Sequence, residues 1–109
     1  MNLQLTCRYG ELSDAVREYA TRKAERLERR FDGIHGVEMI LGVEGGKPKV
    51  EIIVSAVRGQ KCVAGVTHED LFGAIDLVVD KIDRQLKRLK DRLHEHHGKR
   101  PEPPAQTEE

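Results

Sequence analysis

The chain has no tryptophan, and its aromatic residues are limited to Tyr9, Tyr19, Phe31 and Phe72. That scarcity argues against recognition by bases stacked across an aromatic sheet, a device of many single-strand RNA binders. Only two cysteines occur, Cys7 and Cys62, with no CxxC spacing, so a disulfide framework is excluded and no bond between them is expected. No apolar run approaches the roughly 18 residues of a membrane-spanning helix. The start, Met1-Asn2-Leu3-Gln4-Leu5-Thr6, lacks the charged-then-apolar layout of a secretion signal, and the expected setting is a reducing cytoplasm. An excess of either charge is also absent: 19 basic residues balance 19 acidic ones. A uniformly basic, histone-like binder and an acidic solvating protein are both excluded. A local basic face is not, because charges more than about 8 Å apart are largely screened in physiological salt.

What is present is one domain's worth of chain, 109 residues, of which 35% are charged, above the roughly 25% of an average globular protein. Leu3, Leu5, Cys7 and Tyr9 alternate with polar residues, which predicts a strand over 2–9. Ser13 is placed to cap a helix from Asp14 to Phe31, with Asp14 suited to its dipole. The apolar positions there are Leu12, Val16, Ala20, Leu27 and Phe31, and Gly33 and Gly36 close the segment. Val37, Met39, Leu41 and Val43 predict a second strand. After the turn Gly45-Gly46-Lys47-Pro48, Val50, Ile52, Val54 and Ala56 predict a third, antiparallel to it. Arg58-Gly59 marks a turn, and Lys61–Thr67 a short fourth strand whose inward face the pattern leaves open.

Thr67 and Asp70 resemble a capping box. A long helix follows, with Phe72, Ile75, Val79, Ile82, Leu86, Leu89 and Leu93 separated by threes and fours, and Gly98 as a stop. From there to Glu109 the chain holds three prolines and no large apolar residue, so residues 98–109 are expected to form a disordered tail beyond a domain of residues 1–97. The order β-α-β-β-β-α is an α+β arrangement. Its first crossover should give a right-handed parallel pair, and a four-stranded sheet with both helices on one face buries all the apolar sides.

On a helical wheel Lys81, Arg84, Arg88 and Arg92 fall within about 80° of one another, and Asp76, Asp80 and Asp83 lie on the other flank beside Lys87 and Lys90. The first helix has the same segregation, with Arg22, Lys23, Arg26, Arg29 and Arg30 opposed to Asp14, Glu18, Glu25 and Glu28. Two such stripes on one layer can join into a phosphate-binding patch, for which the arginine fork is suited. The alternative is a solvated face supported by i,i+4 pairs such as Glu18–Arg22 and Glu25–Arg29. The architecture resembles double-stranded-RNA-binding domains, which read shape and backbone.

The block Glu69-Asp70-Leu71-Phe72-Gly73-Ala74-Ile75-Asp76, then Asp80-Lys81-Ile82 and Arg84-Gln85-Leu86-Lys87-Arg88, resembles the signature helix of ribosome hibernation-promoting factors. Ala15-Val16-Arg17-Glu18-Tyr19, Lys23, Leu27-Glu28 and Phe31-Asp32 fit the same family, over about Met1 to His97. The resemblance implies a domain that binds the small ribosomal subunit and its RNA. There it fills the channel of messenger RNA and transfer-RNA anticodon ends and silences idle ribosomes. It maps the family's basic positions onto Lys23 and Arg26, and onto Lys81, Arg84, Arg88 and Arg92; Arg29 joins them on geometry. Leu71-Phe72 replaces the family's usual Met-Tyr, and Gly73 stands where Ala is common. Ending at Glu109, the chain is expected to be a short form.

Other constellations carry less. His94-Glu95-His96-His97 has two histidines at metal-ligand spacing but no third ligand. His35 and His68 are isolated near turns, and no nucleophile–base or paired-carboxylate arrangement appears, so neither enzymatic activity nor a metal or cofactor is expected. Ile40 and Ile53 are placed to form a small apolar patch away from the helices. The expected partners are the small subunit, its RNA and whole ribosomes, with no membrane and no DNA. The competing function is a protein-interaction module whose basic stripes meet an acidic protein.

Overall fold

The computed structural model describes residues 2–94. Six strand and helix elements follow in the expected order: β1 (Asn2–Cys7), α1 (Asp14–Arg30), β2 (Ile34–Glu44), β3 (Lys47–Ala56), β4 (Lys61–Thr67) and α2 (Leu71–His94). The sheet order is β1-β2-β3-β4. β1 runs parallel to β2, and the β2–β3 and β3–β4 pairs are antiparallel. Gly98, the tail of residues 98–109 and the last three residues of the histidine cluster lie outside the described residues.

Alternation decides which side of each strand is buried. Val37, Met39 and Leu41 of β2, Val50, Ile52, Val54 and Ala56 of β3, and Cys62 of β4 all turn to the helices and are buried. Ala64 and Val66 pack against them, which settles the face of β4. Both helices lie on this side: α2 crosses β3 and β4, and α1 packs against α2 and β1. Ala20 and Ala24 are fully buried in α1, and their small side chains let that helix approach closely. Ile40 and Ile53 sit on the opposite, helix-free face, half-buried, with Ile53 paired to the exposed Val63.

Local signals account for most boundaries. Ser13 Oγ accepts from Val16 N–H at 3.2 Å and starts α1; Arg29 and Arg30 in its last turn suit the dipole. The β2–β3 hairpin closes on the Glu44–Lys47 pair through Gly45 and Gly46, both at positive φ (62° and 78°), as a two-residue turn of this hand requires. Cys7 and Cys62 are free, on the two outer strands.

Three expectations need correction. β2 begins at Ile34, so Gly36 and His35 belong to the strand rather than to a terminating segment, and an irregularity in pairing falls between Ile34 and Gly36. Gly36 passes close to β1 there: a β-carbon at this position would lie 3.3 Å from the Asn2 carbonyl oxygen. Thr67 does not cap α2. It stays in the β4 ladder opposite Lys49, and the cap is Asp70, whose Oδ2 accepts from Gly73 N–H at 2.9 Å. Finally, Phe72 lies on the apolar stripe of α2 yet is 37% exposed, whereas Ala74 and Val78, which the spacing did not single out, are fully buried.

Candidate nucleic-acid interface

The rotation of α2 about its axis fixes where its charges point. Gln85 Nε2 donates to the carbonyl of Val63 at 2.9 Å, so the flank carrying Gln85 overhangs the edge strand β4. Lys81, Arg88 and Arg92 share that flank, and Arg84 stands beside it toward solvent; all four are exposed. Burial pushes the Cys62 thiol pKa up, and the charges of Arg92 and Arg88 offset that only in part. Among the described residues no ion pair involves any of the four.

The opposite flank of α2 faces α1. Asp83 Oδ2 is 3.5 Å from Arg30, and Asp76 Oδ1 is 3.2 Å from Lys23 Nζ. Tyr19 donates its hydroxyl to the same Asp76 oxygen at 2.6 Å. These contacts clasp the two helices. Burial, the largest single influence on Asp76, pushes its carboxyl up, but the hydrogen bonds from Tyr19 and Lys23 and the charges of Lys23 and Arg26 together hold it below the usual range. The Tyr19 hydroxyl is raised in turn, first because it is bonded to that carboxylate and then by burial.

The two basic stripes therefore do not merge into one patch. The stripe of α1 turns toward the acidic flank of α2, and the stripe of α2 lies on the far side, over β4. A wheel gives faces relative to each helix's own axis; only packing decides which faces meet. Of the sequence-derived residues, Lys81, Arg84, Arg88 and Arg92 form one continuous surface. Arg26 and Arg29 are exposed on α1, and Lys23, with a side chain only 21% exposed, is engaged by Asp76. The i,i+4 pair Glu18–Arg22 forms at 3.7 Å, whereas among the described residues none joins Glu25 to Arg29. Between the helices a cleft of about 290 Å³ is lined by Arg30, Lys87 and Lys90 together with Asp83 and Asp91, so its charges largely offset one another. No group of three or more potential metal-ligating side chains occurs among the described residues. Nor is any helix there long and apolar enough to cross a membrane.

Sequence reasoning missed Gln85 because a lone glutamine on a charged flank carries no periodic signal. It missed the clasp because Tyr19 and Lys23 lie on α1 and their shared partner Asp76 on α2.

Known proteins are similar to this chain in sequence and in fold. A ribosome hibernation promoting factor of Azotobacter vinelandii is 40% identical over 102 residues, covering 93% of this chain and 94% of that protein. Its counterpart in Salmonella typhimurium is 38% identical over 99 residues, covering 88% and 100%. Among solved structures, the N-terminal domain of Thermus thermophilus Protein Y superposes with a TM-score of 0.73 at 36% identity, covering 82% of this chain and 99% of that one. A ribosomal subunit interface protein from Coxiella burnetii superposes with a TM-score of 0.77 at 26% identity, covering 84% and 99%. Residues 3–94 match the sequence model of the sigma 54 modulation protein / S30EA ribosomal protein family, and the chain belongs to that family.

Proposed function

We propose that this protein binds ribosomes and holds them in a hibernating, translationally silent state. The observation that carries the reading is the exposed cationic flank of α2, with no internal ion pair among the described residues, in a chain of this family. Its contact is with the RNA of the small subunit, in the channel otherwise used by messenger RNA and transfer-RNA anticodon ends. Lys81, Arg84, Arg88 and Arg92 meet backbone phosphates, with Arg26 and Arg29 reaching a second stretch of RNA from α1. Lys23, held by Asp76, chiefly keeps the two helices in register. The protein acts by occupying space in a cytoplasmic ribosome rather than by chemistry. Sedimentation of cell extracts through sucrose tests this: the protein should travel with small subunits or whole ribosomes, most of all in starved cells. Migration only with free protein, in growing and starved cells alike, would sink the reading and favour an acidic protein partner.

A further inference from the structure

Phe72 departs from the pattern of its own helix. The spacing that buries Ile75, Val79, Ile82, Leu86 and Leu89 includes Phe72, yet more than a third of its surface stays open. The ring is nevertheless held in place. The Tyr19 ring stands perpendicular to it in a T-shaped contact, with centroids 5.0 Å apart and planes at 86°, a favourable aromatic geometry. Tyr19 is itself anchored by its hydrogen bond to Asp76.

Cations gather at the same spot. Lys23 Nζ lies 5.4 Å and Arg22 Cζ 6.0 Å from the Tyr19 ring centre, and the charge of Arg26 reaches both Tyr19 and Asp76. Two carboxylates at this spot are already paired, Glu18 with Arg22 and Asp76 with Lys23. Arg26 has no ion pair among the described residues. A purely apolar partner would gain nothing from the surrounding guanidinium groups. A nucleotide uses both features, since its base has a π-face for the ring and its phosphates attract the arginines.

We infer that Phe72 is a stacking platform for one unpaired base of ribosomal RNA, with Arg22 and Arg26 drawing in the neighbouring phosphates. The inference rests on the ribosome-binding reading and adds a base contact to an interface otherwise made with the backbone. Because the platform lies on the α1 side of α2, it is separate from the stripe over β4.

The chain's lack of tryptophan makes the test direct. Phe72→Leu keeps apolar bulk without a π-face, and Phe72→Trp enlarges the π-face and supplies a lone indole. Both are compared with the unaltered chain by thermal melting, by pelleting with small subunits freed of messenger RNA, and, for Phe72→Trp, by fluorescence. Phe72→Leu should melt close to the unaltered chain and bind subunits about tenfold more weakly, while Phe72→Trp keeps its affinity. The indole should be quenched by a short single-stranded RNA and not by inorganic polyphosphate. Unchanged affinity in a folded Phe72→Leu, or equal quenching by polyphosphate, overturns the platform. If Phe72→Leu fails to fold, the fluorescence contrast decides alone. Loss of binding on charge reversal at Lys81, Arg84 and Arg88, with Phe72→Leu unaffected, removes the platform and leaves the ribosome reading standing. An unaltered chain that fails to pellet removes both.

Discussion

His68 lies so close to Gly73 that a β-carbon at position 73 would sit 2.8 Å from its ring. The ring is held there because its Nδ1 accepts from Asp70 N–H at 3.0 Å. A glycine inside a helix costs about 1 kcal/mol relative to alanine, and here the close ring accounts for it. Gly73→Ala should therefore gain less than that amount in urea melts, because the ring must shift. In the His68→Ala background the same change should gain more, a coupling that a double-mutant cycle reads directly. A second residue-scale expectation concerns Asp76. Its carboxyl is lowered in the folded protein, so it contributes stability at pH above its unfolded value of about 3.9. That contribution is lost as pH falls through the folded value. Tyr19→Phe, which removes the shortest hydrogen bond to it, should raise the Asp76 pKa in an NMR titration and shift this acid loss to higher pH. An unmoved titration would show that Lys23 and Arg26 hold the carboxyl down without Tyr19.

At the scale of elements, the two flanks of α2 make opposite predictions. Reversing Lys81, Arg84 and Arg88 to Glu changes side chains that are exposed and outside the core stripe, so each should shift stability by only about 0.5 kcal/mol. Ribosome pelleting and inhibition of cell-free translation should collapse, as attraction to several phosphates becomes repulsion. Reversing Lys87 and Lys90, which share a cleft with Asp83 and Asp91, should leave both activities largely intact. Equal loss from the two flanks would indicate a general charge effect and remove the stripe as the binding surface. Element boundaries were largely legible in the sequence: β4 matches its expected span, and Ser13 caps α1 as its spacing implied. Thr67 misled because a hydroxyl three residues before a carboxylate satisfies a capping pattern equally well when the first residue is still bound into a sheet.

The whole molecule carries no net charge, so its affinity for ribosomes must come from the arrangement of charge rather than from its amount. Binding should weaken steeply as monovalent salt rises, since each phosphate neutralised releases condensed counterions. An affinity unchanged between low and physiological salt, measured by pelleting, would contradict a phosphate interface. Alternation and threes-and-fours spacing by themselves determined the order of elements, the sheet with its helices on one face, and the four cations on one side of α2. Each of these follows from residues near one another in the chain. Tertiary structure alone decided that α1 presents its basic side to Asp76 and Asp83, that Gln85 turns the α2 stripe over β4, and that Phe72 stays open beside Tyr19. Those outcomes depend on how two helices rotate when they settle on a sheet. That rotation is set by contacts between distant segments, such as Ala20 and Ala24 lying flat against the core, and periodicity within one segment carries no information about it.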